Sequence, residues 1–322
     1  MSNKTNPFTR RDFVKSSSLA MAAIPFLSFS NTFSASEYFD ENELSVNIFS
    51  KHLHFLDYTA ISEAAAEIGF DGLDLTVRPD GHVDPERVAE DLPRATEALK
   101  KAGLKPQMIT TNVSNAEDPL NRTLLKTAGE QDFEYYRMGW LKYPEEQSIP
   151  ETISIYQDQF KALAKYNKEV GLQGSYQNHS GEFVGAPIWD LYQILNTIPV
   201  SDCGVQYDIR HATLEGTNAW ELGLKLIKDH INTIVIKDFK WESVNGKPKI
   251  KNTPLGEGMV DFPRYFSLLK KYKINVPVSL HLEYELGGAE HGNKTLTIDK
   301  KEVFKNMKKD LQFLRESWAN VE

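Results

Sequence analysis

The sequence predicts a single (β/α)8 TIM barrel. Short apolar runs alternate with longer segments of helical period, and eight such runs can be counted along the chain. That alternation argues for βα units and a parallel sheet, and eight is the number that closes a barrel. Polar and charged residues gather where the runs end, which is the face on which such barrels build their sites. A doubly wound open sheet is the alternative fold, but no Gly-rich phosphate loop follows the first run, so a dinucleotide or ATP fold has little support.

The elements follow in order. The first run is Val46 to Phe49, and a helix through Ile61, Ala64, Ala65 and Ile68 stops at Gly69. The segment Gly69-Phe70-Asp71-Gly72 leads into the second run, Leu73 to Val77. Pro85 opens a helix over Glu86 to Lys101, which Gly103 ends, and Lys105 to Ile109 is the third run. A helix near Leu120 to Glu130 precedes the fourth run, Tyr135 to Gly139. A long helix from Glu151 to Val170 ends at Gly171 before the fifth, Gly174 to Gln177. Gly204 to Asp208, Thr233 to Lys237 and Val276 to Glu283 complete the set. No low-complexity tract or linker interrupts the series, so one domain is expected.

The N-terminus carries a different signal. Thr9-Arg10-Arg11-Asp12-Phe13-Val14-Lys15 and the weakly apolar run from Leu19 to Phe29 form a twin-arginine signal peptide pattern. Pro25 and several serines make that run too short and too polar to span a bilayer of ~30 Å, although a retained anchor is the competing reading. Small residues Ser34, Ala35 and Ser36 offer a cleavage site, giving a signal peptide over 1–36 and a barrel domain over 37–322. No cysteine stands there, which argues against a lipoprotein. The expected location is periplasmic, or otherwise exported. Removing residues 1–36 takes away Lys4, Arg10, Arg11 and Lys15 against Asp12, which moves the net charge from −8 to −11 and leaves 286 residues. An acidic surface without a basic stripe repels nucleic-acid phosphates, so nucleic acid is a poor partner. Cys203 is the lone cysteine of the chain and cannot close an internal disulfide.

The chemistry is expected at the strand ends. Strand two finishes with Asp74, Thr76, Arg78 and then His82, and strand four with Arg137 and Trp140. Strand five runs into Gln177-Asn178-His179, and strand six into Asp208-Ile209-Arg210-His211. Strand seven ends in Lys237-Asp238, and strand eight in His281-Leu282-Glu283. Period-two alternation puts Asp74, Thr76 and Arg78 on one face, and Ser279, His281 and Glu283 on one face. Such a set suits a divalent metal (Mn²⁺, Mg²⁺ or Zn²⁺) polarising a sugar carbonyl, with acids moving a proton between adjacent carbons. The competing reading is that these groups satisfy one another in a polar barrel end. Asp74, Arg78, His82, Arg137, Trp140, His179, Arg210 and Trp241 are the candidate substrate contacts. Arg78, Arg137, Arg210 and Lys51 can grip a carboxylate or phosphate, or pair internally with Asp74 or Asp208. Trp140 and Trp241 directly follow strands and can offer a platform to a sugar ring, whereas Trp189 and Trp220 sit at helix starts and read as packing. His52 and His54, like His82, read as loop histidines. Gly287 to Gly292 suits a tight turn or a lid.

These motifs resemble the xylose-isomerase-like sugar isomerase and epimerase superfamily, which also includes the endonuclease-four type of enzyme. The resemblance spans about residues 45 to 316. It rests on Gly69 to Asp74, Gln177-Asn178-His179, Asp208-Ile209-Arg210-His211, Val235-Ile236-Lys237-Asp238, Pro254 to Gly258 and Leu282-Glu283-Tyr284. It implies one metal held by a Glu after strand five, an Asp after strand six, a His in strand seven and a Glu after strand eight, with the two Glu sharing proton transfer. Asp208 and Glu283 match two of those ligands, and His211 matches a substrate-contacting histidine. Gln177 stands for the strand-five Glu and can offer a carbonyl oxygen but no base; Val235 stands for the histidine and can offer nothing. Three repairs follow: His281 joins Gln177, Asp208 and Glu283 around the metal; Lys237 replaces the metal as cation, or acts as a base; or the barrel only binds a sugar. The first is preferred. The catalytic candidates are then Glu283, Lys237 and His211.

The leading expectation is isomerisation or epimerisation of a non-phosphorylated sugar or keto-sugar. A lyase or hydrolase on a 3-keto-glycoside follows closely, because loss of the carboxylate at Gln177 favours one-sided proton abstraction. A non-catalytic carbohydrate-binding protein is the alternative of another class, and cleavage of damaged DNA is disfavoured by charge and by too few histidines. The expected partner is a small carbohydrate, and assembly as a homo-oligomer is compatible with the sequence.

Overall fold

Every predicted run becomes a strand of one closed sheet. The computed structural model describes residues 43–321, so the expected signal peptide and its cleavage site lie outside the described residues. The barrel strands are β1 (Val46–Phe49), β2 (Gly72–Thr76), β3 (Lys105–Thr110), β4 (Tyr135–Arg137), β5 (Gln173–Gln177), β6 (Cys203–Asp208), β7 (Ile231–Ile236) and β10 (Val278–Leu280). They are parallel and close in the order β1-β10-β7-β6-β5-β4-β3-β2. The eighth barrel strand is thus shorter than the run Val276 to Glu283, and the fourth stops at Arg137 rather than Gly139. Gly72 is required by register, because a Cβ there would meet Asn47 Oδ1 at 2.3 Å.

Helices cover the outside. They are α1 (Tyr58–Ile68), α2 (Val88–Lys101), α3 (Pro119–Glu130), α4 (Ile149–Val170), α5 (Trp189–Leu195), α6 (Ile209–Gly216), α7 (Trp220–Ile227), α8 (Phe262–Lys271) and α9 (Lys300–Ala319). Local signals set their ends. Gly69 closes α1 in the left-handed region at φ 106°, where a side chain would be strained. Ser148 and Glu151 form a reciprocal capping box at the start of α4, satisfying two orphan backbone donors. Trp189 and Trp220 do stand at helix starts, and Trp220 packs edge-on against Tyr265. The apolar core lies between sheet and helices, with Tyr136, Tyr176, Phe160 and Phe266 fully buried. Among the described residues no helix is long and apolar enough to cross a membrane.

One element departs from the predicted barrel. After β7 the chain does not turn into a helix but forms a hairpin, β8 (Asp238–Val244) against β9 (Lys247–Thr253). Asn245 and Gly246 make its two-residue turn, both with positive φ (53° and 74°), the conformation that a primed hairpin turn demands. Asp238 anchors the base: its carboxylate accepts backbone N–H groups of Phe239, Gly256, Gly258 and Val260. A Cβ on Gly258 would lie 2.2 Å from that carboxylate, so the Pro254 to Gly258 motif is a structural cradle for Asp238.

Candidate active site

The barrel interior is polar, and its lower layer fixes the upper one. Asp74 is fully buried and accepts from Thr110 Oγ1 (2.8 Å) and Ser279 Oγ (2.6 Å). Ser279 Oγ also meets His281 Nε2 at 3.0 Å. Burial raises the Asp74 carboxyl above its ordinary range, against these hydrogen bonds. Asp74 therefore lies beneath the site rather than in it, correcting its place among the substrate contacts. His82 is corrected likewise: it folds back on Ser50 Oγ (3.1 Å) and Thr76 Oγ1 (3.3 Å), and its backbone carbonyl takes the Tyr58 hydroxyl. Trp241 stands on the hairpin, 46 % exposed and opposite Ile250, and does not line the cavity.

Above this layer, at the C-terminal ends of the strands, opens a cavity of about 330 Å³. Arg78, Arg137, Trp140, Gln177, His179, Arg210, His211, Lys237, His281 and Glu283, all expected from the sequence, line it. Lys51 does so as well. Phe49 and Asn252 complete the wall and were missed. Phe49 ends the first run and stacks on His281 at 4.2 Å, so its position at a strand end was the available signal. Asn252 comes from the hairpin, and with that element unforeseen nothing marked it.

One wall is an ion cluster. Lys237 Nζ lies 3.0 Å from Asp208 Oδ2 and 2.9 Å from His211 Nε2. Gln177 Nε2 donates to the same Asp208 oxygen at 2.7 Å, while Gln177 Oε1 accepts from Arg137 at 3.4 Å. The other Asp208 oxygen caps α6 by accepting the His211 backbone N–H. His211 is held neutral: burial, and then the charge of Lys237, push its pKa well below the usual histidine value. The adjoining wall, after β10 next to β7, holds Glu283, which accepts from Lys51 Nζ at 3.0 and 3.2 Å and lies 3.5 Å from His281 Nδ1. Burial works against its ionisation, but His281 and the charges of Lys237 and Lys51 outweigh it and hold the pKa well below the carboxylate range. His281 itself is pushed down to about 3, chiefly by burial, and is neutral.

The residues present do not fit the expected metal. Both faces of Gln177 are engaged, Asp208 is covered by an ammonium and an amide, and Glu283 is covered by Lys51. Among the described residues no three His, Cys, Asp or Glu side chains are grouped so as to hold a metal ion. The set Gln177, Asp208, His281 and Glu283 is thus corrected. Lysine side chains already occupy the neighbourhood a dication would need.

His52 and His54 hold the loop after β10. His52 Nε2 accepts from the Leu282 backbone N–H and its Nδ1 donates to the Ala289 carbonyl, while His54 Nδ1 contacts the Gly292 carbonyl. Gly287 to Gly292 is therefore pinned as a turn.

Comparison with known proteins places this architecture. No curated protein matches the sequence. Among solved structures, a D-psicose 3-epimerase from Clostridium cellulolyticum H10 superposes with TM-score 0.62 at 13 % identity, covering 85 % of this chain and 99 % of that one. A 3-keto-D-glucoside 4-epimerase from E. coli gives 0.64 at 14 %, covering 85 % and 100 %. A xylose isomerase-like TIM barrel protein from Mycobacterium smegmatis, in complex with magnesium, gives 0.62 at 14 %, covering 87 % and 99 %. At such identities the likeness is one of fold. The family profile described as xylose isomerase-like TIM barrel matches residues 62–316, most of the chain, and the chain belongs to that family.

Proposed function

We infer that this chain is an isomerase- or epimerase-type enzyme that moves a proton next to the carbonyl of a non-phosphorylated sugar or keto-sugar, with Glu283 as the base. The observation that carries this is the singular position of Glu283: among the described residues it is the one carboxylate lining a cavity walled by basic side chains, neutral imidazoles, amides and the rings of Phe49 and Trp140. Removing a proton beside a carbonyl builds negative charge on the carbonyl oxygen, and preorganised cations stabilise it. Lys237 and the arginines supply them, while neutral His211 and Gln177 orient hydroxyls. A substrate that takes the Lys51 ammonium off Glu283 raises the basicity of that carboxylate at the moment it is needed. Epimerases of this fold among the solved structures support the reading, and the Arg10-Arg11 pattern supports export of the enzyme in folded form.

A second reading, elimination or hydrolysis of a 3-keto-glycoside, is favoured by the same single carboxylate. With Gln177 in place of a second acid, proton removal is one-sided, which suffices to expel an aglycone but not to return a proton from the opposite face. One experiment tests both. Keto-sugars and 3-keto-glucosides are incubated in D₂O and followed by NMR. Deuterium uptake at the carbon beside the carbonyl supports proton abstraction, and epimer against free aglycone separates the readings. Glu283→Gln is expected to lower exchange at least 100-fold with binding retained. Full exchange in that variant removes Glu283 from the mechanism, and tight binding without any exchange leaves a carbohydrate-binding protein.

A further inference from the structure

We propose that the substrate is an acidic sugar whose carboxylate is gripped by Arg78, Arg137 and Arg210. This rests on the same cavity as the function inferred above and names the class of molecule that fills it. Five basic side chains line the cavity, and the two lysines already have carboxylate partners: Lys51 with Glu283 and Lys237 with Asp208. Among the described residues the three arginines have none. Arg137 is only 3 % exposed, yet its hydrogen bonds to Gln177 Oε1 and the Thr111 carbonyl are long (3.4 Å each) and its Nε has no partner. Arg210 is 8 % exposed; it donates to Asn252 Oδ1 (2.8 Å) and contacts His211 Nδ1 (3.1 Å), both neutral groups, and its Nε is also unpartnered. Arg78 lies over a ring, its guanidinium carbon 5.6 Å from the centre of Phe49, and interacts with Asp74 and Glu283 through space without forming an ion pair with either.

Guanidinium groups removed from water demand an anion, and planar forks match a carboxylate bidentately. Among the described residues the demand is met at a distance, by the fields of Asp74, Asp208 and Glu283 and by the rings of Trp140 at Arg137 and Phe239 at Arg210, so a ligand carboxylate supplies the direct partner. The approach is charged in the same sense. In a chain of net charge −8, the hairpin whose base lines the cavity carries Lys240, Lys247, Lys249 and Lys251 against Glu242 alone between residues 239 and 252. Such a feature draws anions toward the mouth. A carboxylate fits better than a phosphate. Barrels of this kind hold phosphate on the loops after strands seven and eight with a short helix N-terminus. Here those places are taken by the hairpin and by the turn pinned through His52 and His54, and the arginines come instead from the loop after β2, the end of β4 and the start of α6.

The test is calorimetric binding to the folded protein, which needs no turnover. D-Glucuronate, D-galacturonate and D-gluconate are compared with their neutral counterparts and with D-glucose 6-phosphate. At least one sugar acid is expected to bind 100-fold more tightly than its neutral counterpart, with the preference falling at least tenfold in Arg78→Gln and in Arg210→Gln. Arg78 is the least buried of the three, so its variant reads the effect even where an Arg137→Gln protein does not fold. Equal affinity for acid and neutral sugar, no binding of any acid, or an unchanged preference in both variants overturns the proposal. Tighter binding of the sugar phosphate overturns the carboxylate assignment. A sugar acid that binds tightly but shows no deuterium uptake leaves this inference standing and defeats the catalytic one. Exchange on a neutral keto-sugar without acid binding does the reverse.

Discussion

Lys237 decides how the site reads at the scale of single residues. Its ammonium sits on Asp208, the side chain the family pattern gives to a metal, and the pair is buried, with Asp208 fully enclosed and the Lys237 side chain 8 % exposed. Lys237→Met is therefore expected to leave an uncompensated buried carboxylate, at a cost of about 3–5 kcal/mol in urea unfolding, and to abolish proton exchange. If Lys237 is the working cation, wild-type exchange is unchanged by EDTA and elemental analysis finds no stoichiometric metal; chelation that stops exchange would sink that assignment. Much of this site was legible because alternation along a strand tells inside from outside. It does not tell height. Asp74 and Arg78 share a face, but Asp74 is tied to Ser279 in the layer below while Arg78 reaches the cavity. The same alternation pointed Lys237 inward, yet only coordinates show that it lands on Asp208 rather than beside it.

At the scale of elements, the hairpin β8–β9 separates this chain from the simple strand–helix alternation its sequence suggests. Its turn was announced by Asn245-Gly246 between residues of strand character, but Lys249 and Lys251 dilute the apolar pattern that marks a strand, and β9 is exposed along most of its length. The hairpin serves the site through one side chain. Asn252 accepts from Arg210 Nη2 at 2.8 Å and donates to the Glu283 carbonyl at 3.1 Å, bridging the two walls. Asn252→Ala removes a hydrogen bond to a charged group, worth about 1.5–3 kcal/mol, and frees Arg210. Because Asn252 is half-buried, the lower end applies, and ligand affinity is expected to fall roughly tenfold with the thermal midpoint lowered by a few degrees. A variant that binds as wild type would show that the hairpin only borders the cavity. The barrel strands themselves were legible throughout, since most of their residues are buried, and the differences were confined to strand ends, most at β4, β7 and β10.

Over the whole molecule, the polar barrel interior makes stability depend on pH in a direction that can be worked out. His52 and His281 are buried and His82 is partly buried, and burial pushes each down to about 3 from an ordinary value near 6.5. Between those values the unfolded chain binds protons that the folded chain refuses. Their contribution is therefore fully present above about pH 6.5 and is lost as pH falls toward 3, by about 1.4 kcal/mol per unit for each histidine. Asp310 acts oppositely. Burial raises it to about 6, so the folded state gains from protonating it as pH falls from 6 toward 3.8, and the raised Asp74 adds in the same sense. His54, His179, His211 and His230 are depressed in the same sense, and Glu134, Asp190 and Asp238 are raised like Asp310, so more depressed histidines than raised carboxyls stand in the balance and stability falls as pH drops below 6.5. The urea midpoint is expected to hold between pH 7 and 8 and to fall steadily from pH 6.5 to 4.5. His82→Gln, which removes a titrating ring that does not line the cavity, should make that fall shallower. A midpoint independent of pH across this range would mean that the buried rings take up protons in the folded state, and the neutral histidines on which the site's electrostatics depend would have to be abandoned.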